Sequence, residues 1–364
     1  THFVDKNHNF YIDSNGTIHS DIDKLQVQYR TFLRDSKMNF LDPNSLAPAI
    51  IALLVGLIIL VWSADRFVLG AAATARFMGV SPLVIGLTIV SLGTSAPEMF
   101  VSFVAAFDDA GGLAVGNAIG SNIANIALVL GVTALVAAIP IQKKLIKKEI
   151  PLLLLVTIIA GLVLADLTLD LFDAVILLIT LVVAVYLLFQ QSSDSGETII
   201  DEDEQAEIDA MPAKNAVFWL VVGLAALMIS SKMLVWGATS IAQAFGISDL
   251  IIGLTIVAIG TSLPELAASV TSALKGHHDI AIGNIIGSNI FNLLAVLPIP
   301  GLIAPLVIDS AVIERDYMTM LGLTVALVLM IALSFRKGVI PRFAGVILLA
   351  SYVAYMALLY SQSI

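Results

Sequence analysis

Two glutamates, Glu98 and Glu265, each close a Gly-Thr-Ser-x-Pro-Glu run inside a long apolar stretch. An ionisable side chain at membrane depth is costly unless it meets a partner or an aqueous cavity, so each is a functional candidate. Pro97 and Pro264 cannot donate the backbone bond that continues a helix, and Gly93 and Gly260 tolerate dihedrals that break one. Carbonyl oxygens should be freed there, and in hydrocarbon they persist only where protein, water or an ion satisfies them. Thr94, Ser95, Thr261 and Ser262 add hydroxyl oxygens beside the breaks. The stretch after each break reads Gly-Asn-x-x-Gly-Ser-Asn-x-x-Asn, which on a helix puts Asn117, Ser121 and Asn125 on one face, and likewise Asn284, Ser288 and Asn292. All these ligand candidates are oxygens. That suits hard cations such as sodium and calcium, whereas zinc or copper would favour imidazole or thiolate.

The elements holding these residues are duplicated. GLTIVSLGTSAPE at Gly86 to Glu98 recurs as GLTIVAIGTSLPE at Gly253 to Glu265, with ten of thirteen positions identical. AVGNAIGSNIANIALVL at Ala114 recurs at Ala281 with the same offset of 167, and Gly79-Val80-Ser81 aligns upstream with Gly246-Ile247-Ser248. One copy alone would equally suit a small-residue packing surface or a buried acid kept neutral. Two glutamates beside two sets of helix breakers argue against both readings.

The chain has 364 residues, is 59% hydrophobic and only 13% charged, with mean hydropathy +0.98, so it needs a bilayer as solvent. Runs long enough to span fall near residues 47–69, 81–107, 113–139, 149–166, 171–190, 215–244, 248–274, 280–305, 312–335 and 341–361. The expected fold is an all-α membrane protein of ten transmembrane helices. Because each five-helix unit is odd-numbered, the second copy enters from the opposite side, giving two inverted five-helix repeats. The domains are then a polar N-terminal segment 1–45, a first repeat 46–190, an acidic linker 191–213 and a second repeat 214–364.

Lys and Arg follow the odd-numbered spans, at Arg76, Lys143, Lys144, Lys147, Lys148, Lys214, Lys275, Arg336, Lys337 and Arg342, against Arg315 alone after the even ones. The odd loops should be cytoplasmic and both termini outside, with residues 191–213 inside. That linker holds eight acids between Asp194 and Asp209 and reads as a solvated tether. Residues 1–37 read either as an extension or as sequence ahead of a natural start at Met38, and no fold is assigned to them. Asn15-Gly16-Thr17 has the form of a glycosylation acceptor. Asp65 and Lys232 align under the repeat offset but differ in sign, and read as near-interface residues that snorkel or pair. His277 and His278 read as part of a solvated turn. The chain has no cysteine, which excludes disulfides and thiolate chemistry. It carries no nucleotide-binding or hydrolase motif, so neither an enzyme nor a cofactor is expected. Nothing points to nucleic acid or to a protein partner.

At the paired motifs GTSAPE with GNAIGSNIAN and GTSLPE with GNIIGSNIFN, residues 46–361 resemble the calcium/cation antiporter superfamily, and within it the bacterial and archaeal sodium/calcium exchangers. The resemblance implies that the second, third, seventh and eighth helices form the ion sites, with the first and sixth sliding across them. It implies backbone carbonyls from Ser91 and Ala258, and backbone or hydroxyl oxygens from Thr94, Ser95, Thr261 and Ser262. Glu98 and Glu265 become the central ligands, with Ser121, Asn125 and Ser288 flanking. Asn292 stands where an aspartate is common in the family, which leaves ion preference and stoichiometry open. The implied function is secondary exchange of calcium for sodium in a prokaryotic plasma membrane. A proton-coupled or potassium-dependent antiporter is the alternative, since burial favours the neutral acid and the same pair could alternate between protons and calcium. A passive cation channel is a more distant one.

Overall fold

The computed structural model describes residues 10–12, 18–20, 46–107, 111–141, 145–189, 208, 210–245, 258–335 and 338–363. The molecule is helical. In order come α1 Ala47–Met78, α2 Pro82–Thr94, α3 Ala96–Phe107, α4 Gly111–Val136, α5 Ile150–Val163, α6 Leu171–Leu188 and α7 Ala213–Ala244. The second half continues with α8 Ala258–Thr261, α9 Leu263–Leu274, α10 His278–Ile303, α11 Val312–Ser334 and α12 Arg342–Gln362.

Among the described residues seven helices are long and apolar enough to cross a bilayer, or eight if α2 and α3, bent by 41° at their junction, count as one. The ten expected spans are therefore not met one for one. The expected 149–166 span is the short α5, preceded by a π turn, Leu145–Glu149, that carries Lys147, Lys148 and Glu149. The expected 248–274 span is represented by α8 and α9, because residues 246–257 lie outside the described residues.

Helices α4 and α10 form the centre, with 72% and 94% of their apolar windows buried, whereas α1, α6, α7 and α12 bury no more than about a third and ring them. Exposed Leu54, Ile58, Phe172, Val182 and Leu333 make the outer surface apolar, as a lipid-facing surface must be. Helices α1 and α7 lie against each other along their length. Their contact is close because glycines sit where they cross: a Cβ on Gly223 would stand 2.7 Å from the backbone nitrogen of Phe67. α10 crosses α2 in the same way, with a Cβ on Gly283 falling 2.8 Å from the Leu83 carbonyl oxygen.

Two short antiparallel ladders tie the halves together. β3, Ile139–Pro140, follows α4 and pairs with β6, Val339–Ile340, ahead of α12. β4, Thr168–Leu169, precedes α6 and pairs with β5, Leu306–Val307, which follows α10. Each ladder joins the strand after the central helix of one copy to the strand before the last helix of the other. A further hairpin, β1 Phe10–Ile12 with β2 Ile18–Ser20, occurs where no fold was expected. The sequence between its strands holds Asn15-Gly16, a hairpin-turn dipeptide whose signal was passed over.

Asp65, expected to snorkel or pair, forms an ion pair with Lys275 at 2.8 Å. His277, expected in a solvated turn, is buried. The connection from α9 to α10 is tight, Gly276 taking φ 79°, and it draws His277 in as the first residue ahead of α10. The linker residues 190–207 and the N-terminal residues 21–45 lie outside the described residues.

Candidate functional site

The break after α2 is the local consequence of Gly-Thr-Ser-Ala-Pro. α2 contains a π turn, Gly86–Val90, then one last α turn, Ser91–Thr94, and Ser95 leaves helical geometry at φ −82°, ψ 2°. α3 restarts with Pro97 in its first turn, where its missing N–H costs nothing, and Glu98 follows. α8 and α9 repeat this. Ser262, at φ −89° and ψ 5°, stands between them, with Pro264 and Glu265 in the first turn of α9.

Glu98 and Glu265 are both 1% exposed, and each lies within electrostatic reach of the other. Ser91, Thr94, Ser95, Ser121, Asn125, Ser262, Ser288 and Asn292 are buried as well, and Thr261 is half-buried. The Ser95 hydroxyl donates to Glu265 Oε1 at 3.3 Å. The Thr94 hydroxyl donates to Asn284 Oδ1 at 3.0 Å and lies 3.4 Å from Ser288 Oγ. The break of the first copy thus bonds directly into the second. Of Ala258, the first residue of α8, only the backbone is described.

Ser91 does not offer a free carbonyl in this state. Its oxygen accepts the Ser95 N–H at 2.9 Å, and the Thr94 hydroxyl, whose one proton goes to Asn284 Oδ1 in the arrangement above, stands 3.3 Å away as an alternative donor. Pro264 has no N–H for the Gly260 carbonyl, yet that oxygen is not free either, because Ser231 of α7 donates to it at 2.8 Å. At the second break the expected bare carbonyl therefore gives way to one with a replacement donor.

Among the buried polar atoms without a hydrogen-bond partner are Glu98 Oε2, Glu265 Oε2, the Ser262 hydroxyl and both side-chain polar atoms of Asn125 and of Asn292; others lie outside the candidate set, such as Ser272 Oγ and the Asn289 amide. Unmatched buried polar atoms are costly, and most of those in the candidate set are oxygens on equivalent residues of two repeats. Asn125 and Asn292 each open a π turn, Asn125–Val129 and Asn292–Val296. Such turns shift the helical face locally and are common at functional sites. Among the described residues no three of His, Cys, Asp and Glu cluster together, so the site carries two carboxylates and no third.

Asn117 and Asn284 occupy a second layer rather than facing an ion. Asn117 Nδ2 donates to the Glu98 carbonyl at 3.1 Å and to Ser102 Oγ at 3.0 Å; Asn284 Nδ2 donates to the Glu265 carbonyl at 3.3 Å and to Ser269 Oγ at 2.9 Å. Each asparagine braces the turn carrying its own glutamate. Ser102 and Ser269 were not singled out from the sequence, although they align at the repeat offset four residues past each glutamate. Asn122 and Asn289 were missed as well. These equivalent residues meet at the junction of the copies, Asn122 Nδ2 donating to the Asn289 carbonyl at 3.1 Å.

A family model described as sodium/calcium exchanger protein matches residues 48–190 and 215–361. The chain belongs to that family. It is 50% identical over 321 residues to the putative antiporter CaxA of Alkalimonas amylolytica, covering 86% of this chain and 99% of that one. It is 42% identical to the inner membrane protein YrbG of Escherichia coli, covering 85% and 95%. A solved structure of the sodium-calcium exchanger NCX_Mj, soaked with zero sodium and calcium, matches with TM-score 0.74 at 33% identity, covering 86% of this chain and 100% of that one. Family membership and a helical membrane fold are thereby established.

Proposed function

We propose that the protein is a secondary antiporter that moves calcium against sodium by alternating access at the Glu98 and Glu265 site. One observation carries this reading: two equivalent glutamates, one from each repeat, are buried within electrostatic reach of each other and each keeps an unmatched oxygen, as the buried amides of Asn125 and Asn292 are unmatched too. The exchanger family match and the NCX_Mj likeness support it.

Two ionised carboxylates give the site a nominal charge of −2, which one calcium or two sodium ions neutralise. Carrying that charge uncompensated through a closed, low-dielectric intermediate costs several kcal/mol. The carrier therefore changes sides loaded, and exchange becomes obligatory. Glu98, Glu265, Thr94, Ser95, Thr261, Ser262, Ser121, Asn125, Ser288 and Asn292 form the site. Ser91 and Ala258 join through their carbonyls once the backbone partners at the break are exchanged.

In this reading the broken pairs α2 with α3 and α8 with α9 each make one span, α5 with its π turn makes another, and ten spans result in two inverted repeats. Both termini lie outside and residues 191–213 in the cytoplasm, following the Lys and Arg bias. A prokaryotic plasma membrane is the setting, in keeping with YrbG being described as an inner membrane protein.

Proton coupling is the second reading, and the acid count accommodates it as well as it does two sodium ions. With only two carboxylates among the described residues of the site, two protons exchanged for one calcium would also be neutral. Calcium flux into proteoliposomes, with sodium, potassium or proton gradients imposed one at a time, separates the cases. Sodium-driven uptake supports the proposal. Uptake driven by a pH gradient without sodium selects the proton reading, and flux needing no counter-ion makes the protein a channel.

A further inference from the structure

Duplication gives this molecule an internal control. Where α1 lies against α9, Leu69, Ala72 and Ala268 are buried. The equivalent faces in the other direction, on α7 and α3, border a cavity of about 470 Å³. Phe100 and Val101 stand on its α3 side, and Met228, Lys232, Trp236 and Thr239 on its α7 side. That volume falls within the range of about 300–1,000 Å³ usual for small-molecule sites.

The residues that differ between the copies are those that give the cavity its character. At the offset of 167, Phe100 replaces Ala267, Trp236 replaces Leu69, Lys232 replaces Asp65 and Thr239 replaces Ala72. The walls thereby gain two aromatic rings, a cation and a hydroxyl. Phe100 and Trp236 are 63% and 47% exposed, so the cavity opens at the outer surface between them. Thr239 Oγ1 is buried and meets no hydrogen-bond partner, which leaves a polar atom in the wall for an occupant or water to satisfy.

Lys232 says what kind of occupant the cavity takes. Its neighbour Ser231 bonds the Gly260 carbonyl at the second helix break, so Lys232 leaves α7 at the depth of that break and not at a membrane surface. A charge at such depth is costly without a counter-charge or water. Among the described residues Lys232 makes no ion pair, and its ammonium lies 5.9 Å from the centre of the Phe100 ring, at the limit of a cation–π contact. We infer that the cavity binds the monoanion of a single-chain carboxylic acid, with the carboxylate on the Lys232 ammonium and the alkyl chain between Phe100 and Trp236.

One cation in an otherwise apolar and aromatic wall selects a monoanion over a multiply charged ligand. A phospholipid keeps its headgroup at the membrane surface, whereas a fatty acid enters the bilayer as the neutral acid and ionises beside Lys232. Cations are repelled from the ammonium, so this is not an extension of the carboxylate site, although it borders Pro97 and Pro264 next to the two glutamates. The inference stands apart from the exchange reading and does not need it.

The tryptophans of the chain are Trp62, Trp219 and Trp236, so Trp62→Phe with Trp219→Phe leaves the cavity indole as the reporter. In detergent micelles an ω-bromoundecanoate should quench it saturably. It should bind roughly ten-fold tighter than the matching bromo-alcohol, the factor expected of a hydrogen bond to a charged group. Lys232→Gln should erase that difference, and Lys232→Arg should keep it. The chain with all three tryptophans, photolabelled with a diazirine-bearing undecanoate, should carry the label within Pro97–Val101 or Met228–Thr239, and roughly ten-fold less of it with Lys232→Gln. Quenching that rises linearly and equally for acid and alcohol is partitioning alone and overturns the site. An acid preference that survives Lys232→Gln, or label confined to other segments, overturns it too. In nanodiscs, equally saturable quenching by a bromo-acyl phosphatidylglycerol would make the occupant a bilayer phospholipid and overturn the fatty-acid assignment.

Discussion

Replacing Ser231 by alanine should expose the cost of the second helix break. Pro264 cannot give the Gly260 carbonyl its α-helical bond, and the Ser231 hydroxyl, 2.8 Å away on α7, fills the vacancy. Removing it strands a buried acceptor. Hydrogen bonds between membrane helices average about 0.6 kcal/mol and reach about 1.7, and an unsatisfied buried group costs roughly 1–3 kcal/mol. A loss of about 1–2 kcal/mol is expected, with the adjoining cavity, which can admit water, favouring the lower end. The assay is a double-mutant cycle with Pro264→Ala, read by unfolding in detergent micelles. Alanine at 264 supplies an N–H to the same carbonyl, so Ser231→Ala should cost little in that background, leaving a coupling of about 1 kcal/mol. Ser230→Ala is the control, because its hydroxyl bonds only the Leu227 carbonyl of its own helix at 2.9 Å. Equal losses from Ser231→Ala with Pro264 and with Ala at 264 would mean that the hydroxyl does not stand in for the missing donor.

Glu98→Gln and Glu265→Gln should each abolish calcium uptake while the protein still inserts. Losing one carboxylate of a buried carboxylate–cation contact costs about 3–5 kcal/mol, roughly a hundred- to several-thousand-fold in affinity, and normal uptake by either variant would remove the two-carboxylate site. Asn292→Asp adds a carboxylate at a position with no hydrogen-bond partner for its present amide. It should tighten cation binding or raise the charge moved per turnover, and identical exchange currents across the pH range would mean that residue 292 does not touch the ions. Deleting Ser193 to Asp209 should leave transport kinetics nearly unchanged, since the acidic run lacks the Asp/Asn-Gly-Glu spacing of a calcium-binding loop; a large shift in calcium activation would contradict the tether.

The candidate ligands were readable because duplication marks them twice. Glu98 with Glu265 and Asn125 with Asn292 recur at one offset, and all four are buried. The helix breaks were readable for the same reason, since Gly and Pro act locally. What sequence could not convey was where the broken bonds go. Ser231 lies 29 residues before Gly260 on another helix, and only tertiary packing pairs them. Likewise Ser91 looks like a free carbonyl until the Ser95 N–H is seen to bond it. The π turns at Asn125 and Asn292 leave no mark in hydrophobic periodicity. The expected 149–166 span is not matched by a single long helix for a different reason: Lys147, Lys148 and Glu149 occupy a π turn ahead of α5, which leaves Ile150–Val163 short.

The differences between the copies carry as much information as the likeness. Ser231 has Ala64 as its equivalent, so the Gly93 carbonyl beside Pro97 has no matching serine on α1. Ser95 reaches Glu265, while the equivalent Ser262 hydroxyl reaches nothing. Lys232 opposes Asp65 in sign, and Phe100 replaces Ala267 in bulk. Under the exchange proposal, a site that presents the same oxygens to either side would need equal residues at the axis, whereas identical flanks would make the two packed arrangements equal in energy. The flanks here are unequal, so one arrangement would be preferred until differential ion binding offsets the difference.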